Sequence, residues 1–389
     1  MAPEPRRPSL LAMAVAVGVS AATPFYGQAL LPAVQADFQL AAGLVLLGPM
    51  ATQLGMALGF LLVLPLSDAS ERRRTLELVA LGLALSALSV LLVPSFAALL
   101  VSWWVLGLFC LIPALLPPFL AALTPPAQRG RMLGLVLSGQ FSGILLSRSV
   151  SGVLAQAWGW RTVYGLAGGL MLLVLLLIRR QLPQLQPSVP FEPLRLQRSL
   201  LALWGRHGRL RRACLSQALL FGAFMALWSG LALHLAGPPW RYGPGLIGSF
   251  GLVGVVSIVA APGVGRAVDR HGPERIVAGG ALTTGLGAVL LLALPHSLAA
   301  LALGLVAVDL GVQGSFVANQ ARIHALDPLA RSRMSGLLFL TAYAGAAVCS
   351  ALAVRLWPRA GWGGLGMLAV ALAVLVLLLE WNGHRRRLP

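Results

Sequence analysis

Residues 129–160 read RGRMLGLVLSGQFSGILLSRSVSGVLAQAWGW, and this stretch says more about the architecture than any other. Its residues from 132 to 156 are mostly apolar or small, and they include one charge, Arg148. A helix that crosses the hydrocarbon core of a bilayer needs about 20 such residues. The stretch therefore predicts a membrane-spanning helix that carries an arginine deep inside it.

The same pattern recurs 202 residues later, where residues 331–362 read RSRMSGLLFLTAYAGAAVCSALAVRLWPRAGW. The two arginines and the methionine at the start, the glycines at 134 and 143, and the closing Gly-Trp all have equivalents at this offset. Asp68 has an equivalent in Asp269, at an offset of 201. A repeat of about 200 residues that holds six spans is the parallel duplication of one class of transporter.

Eleven further apolar segments accompany this one. The twelve predicted spans lie near 9–34, 43–66, 75–93, 96–121, 132–156, 161–180, 212–236, 244–265, 276–294, 297–321, 333–356 and 363–382. The chain is 58% hydrophobic and 10% charged, whereas soluble domains average about 25% charged residues. A soluble protein of this size could not cover so much apolar surface. We therefore expect an all-α membrane protein.

Every one of the 29 basic residues is an arginine, and the formal net charge is +18. Such a charge can indicate nucleic-acid binding, but these arginines stand in short clusters between apolar runs. If the N-terminus is inside, 24 arginines fall in inner segments and four in outer ones. This distribution follows the positive-inside rule. It predicts no nucleic-acid partner, cytoplasmic N- and C-termini, and a location in the bacterial cytoplasmic (inner) membrane.

The longest polar connection divides the chain into two halves. We predict an N-terminal six-helix bundle at 1–180, a cytoplasmic linker at 181–211 and a C-terminal six-helix bundle at 212–389. Four prolines between 183 and 193 interrupt any helix that would continue into the linker. The leucines and arginines at 194–204 fit a helix on the inner headgroup surface, and they fit a plain linker equally well.

Twelve spans in two repeated halves, with a long middle loop, resemble the major facilitator superfamily. That family carries Gly-x-x-x-Asp-Arg-x-Gly-Arg-Arg after span two, and a degenerate copy after span eight. The corresponding stretches here are LPLSDASERRR and GRAVDRHGPER. The matching residues are Asp68, Arg72 and Arg73 in the first copy, and Gly265, Asp269, Arg270 and Gly272 in the second.

The resemblance implies two pseudo-symmetric six-helix bundles around a central cavity, with these two loops controlling the change between conformations. An aspartate at such a turn can accept hydrogen bonds from the first amides of a neighbouring helix. The arginines can face lipid headgroups. Two turns that are merely charged remain the alternative interpretation.

Span five also resembles a glycine pattern of the exporters in that family. The matching positions hold Gly134, Gly143, Ser147, Arg148, Ser151 and Gly152. Small residues at such positions let helices pack closely in lipid. This resemblance favours export, although Arg148 stands where the exporters have proline.

Two charges lie deep in the predicted spans, Arg148 in span five and Asp309 in span ten. They are about 12 Å and about 18 Å from the outer ends of their helices, at about 1.5 Å per residue. Spans five and ten are neighbours in the resembled fold, so we expect these residues to face each other directly, through water or through solute. They form either a permanent buried pair or a switching site in which Asp309 takes a proton.

Further polar residues are candidates for the cavity lining. Gln313 lies one helical turn from Asp309 and is the third residue that we expect to bind solute or couple protons. Asn319 follows on the same helix and either lines the cavity or satisfies the helix end. The remaining candidates are Tyr26, Gln28, Gln53 and Gln140, for which helix packing is the alternative role.

The sequence contains none of the catalytic or nucleotide-binding patterns that we sought. We therefore expect no enzyme activity and no cofactor or metal. The interpretation is a secondary active transporter, proton-coupled, that exports a small organic solute by antiport. Its expected partners are the solute, protons and the bilayer, and we expect a monomer. Uptake by symport or facilitation, or a receptor or scaffold without transport, are the alternatives.

Overall fold

The computed structural model describes residues 8–184, 193–327 and 330–385, and these residues form helices and turns without any β-strand. We number the membrane helices α1 to α12. In the first half, α1 comprises Leu10–Ala22 and Tyr26–Asp37, α2 is Leu47–Ala69, α3 is Arg72–Ser89, α4 comprises Phe96–Phe109 and Ile112–Leu123, α5 is Arg129–Trp158, and α6 is Trp160–Gln181.

The second half begins after a separate linker helix, Pro193–Arg206. Its helices are α7 at Gly208–Ala236, α8 at Pro244–Ser249 and Val255–His271, α9 at Pro273–Ala293, α10 at Leu298–His324, and α11 and α12 within Arg331–Arg385. In the described ranges, ten helices are long and apolar enough to cross a membrane. One of the ten contains both α11 and α12, and the two-part α8 completes the set of twelve.

The 55-residue segment Arg331–Arg385 contains two spans because it breaks at Gly361. An unbroken helix of that length would extend about 80 Å, more than twice the thickness of the hydrocarbon core. Gly361 has a φ of 52°, and its repeat equivalent Gly159 has a φ of 84° between α5 and α6. Glycine is the residue that adopts positive φ without steric cost, so the repeated Gly-Trp marks the same turn in both halves.

The two halves pack their helices in the same pairs, with α1 on α5, α2 on α4 and α3 on α6 in the first, and α7 on α11, α8 on α10 and α9 on α12 in the second. The close approaches use small residues. A Cβ at Gly143 would overlap the backbone of Gly18 on α1, and a Cβ at Gly345 would overlap Ala218 on α7. Gly143 and Gly345 are repeat equivalents, so duplication of the sequence produced duplication of the packing.

On the side of α5 and α8, the bundles touch at one end and separate at the other. At the end away from the chain termini, a Cβ at Gly152 on α5 would overlap the carbonyl of Pro244 on α8, and Ser149 donates to the carbonyl of Gly248 at 3.0 Å. At the end near the termini, a Cβ at Gly134 on α5 or at Gly265 on α8 would meet nothing within 4 Å. The α5 and α8 helices therefore diverge toward the predicted cytoplasmic side, whereas Phe60 on α2 stacks on Phe339 of α11, with ring centroids 4.9 Å apart.

Two of the membrane helices are interrupted at the level of Arg148. Thr23–Phe25 forms a 3-10 turn within α1, with Pro24 inside it, and Phe250–Gly254 forms another within α8. Transporters often build their binding sites at such interruptions, because the backbone there lines a cavity. The hydropathy of these spans predicts their length but not these breaks.

The linker helix packs against the ends of the bundles that lie near the chain termini. Leu200 and Leu203 on one of its faces are buried in an apolar cluster that includes Leu210 on α7 and Met334 on α11. Leu201 on its other face is 74% exposed. An amphipathic helix therefore occupies part of the predicted linker.

Candidate functional site

Arg148 lies in the second half of α5 and is 4% exposed. Its Nε donates a hydrogen bond of 2.6 Å to Oε1 of Gln28 on α1. Its guanidinium carbon lies 4.1 Å from the ring centroid of Trp228, 5.6 Å from that of Phe25 and 5.9 Å from that of Phe224. The guanidinium thus sits in a cage of aromatic faces, which attract a cation. Its Nη2 has no hydrogen-bond partner among the described residues.

Asp309 lies in α10 and is also 4% exposed. Its Oδ1 accepts a hydrogen bond of 3.0 Å from the indole nitrogen of Trp228 on α7. The structure therefore brings Arg148 and Asp309 to two sides of one indole, with the cation on the ring face and the carboxylate at the ring nitrogen. The described side chains include no direct ion pair between the two charges.

The interruption of α8 passes close to both charges. A Cβ at Gly251 would lie 2.9 Å from Cβ of Arg148, and a Cβ at Gly254 would lie 3.2 Å from Oδ2 of Asp309. Side chains at these positions would need Arg148 or Asp309 to move. The two glycines therefore allow the main chain of α8 to close over the site.

A cavity lies beside this cluster, mainly between the helices of the first bundle. Its walls are largely aromatic and apolar, with contributions from Phe25, Met56, Trp103, Leu106, Tyr164, Met225 and Tyr343. The indole nitrogen of Trp103 is buried without a hydrogen-bond partner among the described residues. Met225 and Tyr343 belong to α7 and α11, so both bundles contribute to the walls.

Two of the predicted lining residues, Gln28 and Gln53, line this cavity. Gln28 connects it to Arg148, and its Nε2 lies 3.3 Å from the sulfur of Met225. Gln53 accepts a hydrogen bond of 2.8 Å from Ser350 on α11, which joins the two bundles. Tyr26 is buried beside the cavity but is not among its lining residues, and its carbonyl accepts from Ser151 at 3.2 Å.

The other polar candidates lie apart from the cavity. Gln140 on α5 and Gln313 on α10 are partly exposed, and no hydrogen bond joins either side chain to another described residue. Asn319 is fully buried inside the second bundle, where it donates to Oε1 of Gln217 at 3.3 Å. Asn319 therefore contacts α7 rather than the walls of this cavity.

A glutamate caps the helix that follows the first motif loop. Glu71, which occupies a glycine position of the motif, accepts from the backbone amides of Arg73 and Arg74 at 2.9 Å each. Arg73 bonds Glu77 at 2.9 Å and the carbonyl of Leu182 at 3.0 Å, which fastens α3 to the end of α6. The side chain of Asp68 lies outside the described residues. Arg72 is partly buried and has a partner.

The second motif loop is more open. Asp269 and Arg270 are exposed, and no hydrogen bond or ion pair joins their side chains to another described residue. Gly272 has a φ of 82° and begins the turn into α9. Gly265 faces open space. In this conformation the second copy makes a turn, and its Glu274 pairs at 2.8 Å with Arg209 on α7 of the same bundle.

The structure also contains a buried ion pair that the sequence did not reveal. Arg322 on α10 and Glu380 on α12 are 1% and 6% exposed, and their two hydrogen bonds measure 3.1 and 2.5 Å. Ser216 on α7 donates to the same carboxylate at 2.8 Å. Glu380 stands near the end of an apolar span, so its position suggested the headgroup region. The only available signal was a lone carboxylate inside the hydrophobic segment.

Comparison with known proteins identifies the family. The sequence matches the model of the Major Facilitator Superfamily over residues 9–259. It is 33% identical to the putative uncharacterized transporter YgaY of Escherichia coli K12 over 378 residues, which cover 97% of this chain and 96% of that protein. It is 28% identical to the multidrug resistance protein MdtG of Serratia proteamaculans over 222 residues, 54% of this chain and 52% of that protein.

The fold is likewise similar to a solved structure. A crystal structure of a peptide transporter POT in complex with sulfate aligns with a TM-score of 0.75 at 17% identity, and the alignment covers 97% of this chain and 95% of that chain. The predicted all-α fold with twelve spans is confirmed. The match to a transporter family likewise confirms the prediction of a transporter rather than an enzyme. The chain belongs to the major facilitator superfamily and is a multi-pass membrane transporter of small molecules.

Proposed function

We propose that this transporter is secondary active and couples the movement of a small organic solute to protons at the Arg148–Trp228–Asp309 cluster. One observation carries the proposal. Arg148 belongs to the first bundle, whereas Trp228 and Asp309 belong to the second. Alternating access rocks one bundle against the other, so this buried contact must rearrange in every transport cycle.

Asp309 is the proton-binding group in this proposal. A protonated carboxyl has no net charge, so its attraction to the nearby guanidinium falls and the junction between the bundles weakens. A charged group inside the membrane is costly to bury, and those that occur commonly belong to proton relays or solute sites. Gln313, one turn further along α10, is partly exposed and can offer a second polar group to the solute.

Export by proton antiport is the direction that resemblance supports. The exporter pattern of span five is partly present, and the relative MdtG is named a multidrug resistance protein. Uptake by symport is the second candidate. It is supported by the unpartnered Nη2 of Arg148, because an anion bound there would be held best when Asp309 carries a proton.

A monomer with both termini in the cytoplasm completes the proposal. The excess of arginine in the segments on the terminal side supports this orientation. Two bundles of one chain form the cavity, which supports a monomer. Accessibility of cysteines introduced at Arg131 and Arg359 to an impermeant reagent checks the orientation, and modification of Arg131→Cys from outside intact cells would contradict it.

The deciding experiment measures proton-linked flux in proteoliposomes with wild-type protein, Asp309→Asn and Asp37→Asn. Asp37 pairs with Arg161 where α1 ends and α6 begins, away from the cluster, and serves as a matched control. We expect Asp309→Asn to abolish the response of solute flux to an imposed pH gradient, while Asp37→Asn keeps it. An unchanged pH response in Asp309→Asn would refute proton coupling at this site. No solute flux in any protein would support a scaffold instead.

A further inference from the structure

Among the described residues, no carboxylate forms a hydrogen bond with the guanidinium of Arg148, and Asp309 lies beyond the indole of Trp228. Its neighbours are the aromatic rings of Phe25, Phe224 and Trp228 and the neutral amide of Gln28. Nη2 is buried and has no acceptor among the described residues. A buried charged donor without an acceptor loses its hydration and gains no hydrogen bond in return. A ligand that binds beside Arg148 therefore needs a hydrogen-bond acceptor, and a negatively charged one fits best.

The side chain of Gln28 lies between the guanidinium of Arg148 and the cavity, and a ligand can displace it. Its Oε1 is the sole described acceptor on the guanidinium, and its Nε2 points at the sulfur of Met225 at 3.3 Å. A thioether is a weak acceptor, so this second contact holds the amide group only loosely. An acceptor that enters from the cavity can replace Oε1 on Arg148 and receive a hydrogen bond from Nε2 as well.

The cavity walls next to Gln28 determine which kind of ligand body fits there. These walls include Phe25, Met56, Trp103, Tyr164 and Tyr343, so they are largely aromatic and apolar, as in many small-molecule sites. Such walls suit a flat, apolar or aromatic body rather than a sugar or a polyphosphate. A single guanidinium also matches a single negative charge.

We propose that the solute is a small monocarboxylic acid with an apolar or aromatic body. Its carboxylate takes the place of Gln28 Oε1 and accepts from Nε and Nη2 of Arg148, with Nε2 of Gln28 as the third donor. This fork is the geometry in which arginine binds carboxylates bidentately. The inference rests on the transport function proposed above. It favours the symport form of coupling, because an acid on Arg148 and a proton on Asp309 offset each other's charge.

The test compares three probes with one body and different charges. They are 3-phenylpropanoate, 3-phenylpropanamide and 3-phenylpropylamine, added to purified protein whose thermal unfolding is followed in detergent. We expect the acid to stabilise the wild-type protein and the amide and amine to bind at least roughly tenfold more weakly, as loss of a charge-assisted pair implies. Equal or better stabilisation by the amine, or none by the acid at millimolar concentrations, would overturn the proposal.

Variants of Arg148 and Gln28 test where the acid binds. Arg148→Lys keeps the charge but loses the fork, and Arg148→Gln loses both, so we expect roughly tenfold to hundredfold weaker binding of the acid. Gln28→Glu places a carboxylate of the protein itself beside Arg148, and we expect it to exclude the acid. Gln156→Glu makes the same change on the exposed outer end of α5 and should bind like wild type. Full affinity in Arg148→Gln or Gln28→Glu would contradict the assignment.

A flux measurement separates this inference from the proposed function. Acid binding that depends on Arg148, without transport of the acid in proteoliposomes, would leave the binding site intact and refute the transport of this class. Transport of the amine or amide without binding of the acid would retain proton-coupled transport and refute the acidic substrate. Inward movement of the acid with protons, lost in Arg148→Gln, is the result that we expect.

Discussion

Trp228 makes two contacts of different chemistry, and a phenylalanine could reproduce only one of them. Its ring face lies against the guanidinium of Arg148, and its nitrogen donates to Asp309 at 3.0 Å. The indole thereby links a cation in one bundle to a carboxylate in the other. At the scale of single residues, the proposed coupling between solute and proton therefore depends on Trp228, which carries no charge itself.

Replacement of Trp228 by phenylalanine tests this link. The variant keeps an aromatic face for Arg148 but removes the hydrogen bond to Asp309, which is worth about 1.5–3 kcal/mol for a charged acceptor. We expect solute still to move down its own gradient while an imposed pH gradient no longer accelerates it, as measured in proteoliposomes. Trp158→Phe, at a position 66% exposed, is the control. A normal pH response in Trp228→Phe would show that the indole nitrogen has no part in coupling.

The Arg322–Glu380 pair has a different role at the same scale. It joins α10 to α12 within one bundle, so rocking of the bundles leaves it unchanged. Glu380→Gln removes the hydrogen-bonded carboxylate and leaves the buried guanidinium of Arg322 only Glu274, 3.9 Å away, so the expected loss of stability is about 3 kcal/mol. Thermal unfolding in detergent should show a clear decrease. Glu77→Gln breaks a more exposed pair with Arg73, for which about 0–1 kcal/mol is expected. Equal effects of the two changes would disprove this assignment.

At the scale of elements, α5 has a closed end and an open end. Gly152 packs against the backbone of α8, whereas Gly134, on the same helix, faces open space. The interrupted α1 and α8 cross α5 between these two regions. At its closed end, α5 is therefore the helix of the first bundle that contacts α8 of the second bundle.

A pair of leucine substitutions tests the closed end. Gly152→Leu cannot keep the contact with Pro244, so we expect it to disfavour the state that is open toward the terminal side and to slow transport by at least roughly tenfold. Gly134→Leu meets nothing within 4 Å in this state and should fold normally. Labelling of cysteines introduced at the two ends of the central space measures how accessible each end is to solvent. An unaltered labelling pattern in Gly152→Leu would be incompatible with this contact as the outer closure.

At the scale of the whole molecule, the structure shows one of the two states that alternating access requires. The two bundles repeat the same helix pairs, and they meet on the side away from the chain termini. Arg131 on α5 and Arg266 on α8 lie exposed at the separated ends. The native cysteines, Cys110, Cys214 and Cys349, are buried, so introduced cysteines can be labelled selectively.

Spin labels at Arg131→Cys and Arg266→Cys report on this opening by pulsed electron resonance. We expect a long distance in the empty protein and a second, shorter distance when a transported solute and low pH allow the terminal side to close. A label pair on one bundle, Arg131→Cys with Arg161→Cys, should give one unchanged distance. A single distance between the bundles under every condition would contradict the rocking motion.

The sequence alone determined that this chain crosses the membrane twelve times in two repeated halves, because span length and hydropathy are local properties and the repeat is visible by alignment. It also identified Arg148 and Asp309, since a charge inside an apolar run is conspicuous. Only the tertiary structure placed Trp228 between them, interrupted α1 and α8 beside them, and paired Arg322 with Glu380. Those contacts join residues from distant helices, and they depend on helix rotation and tilt, which hydropathy does not encode.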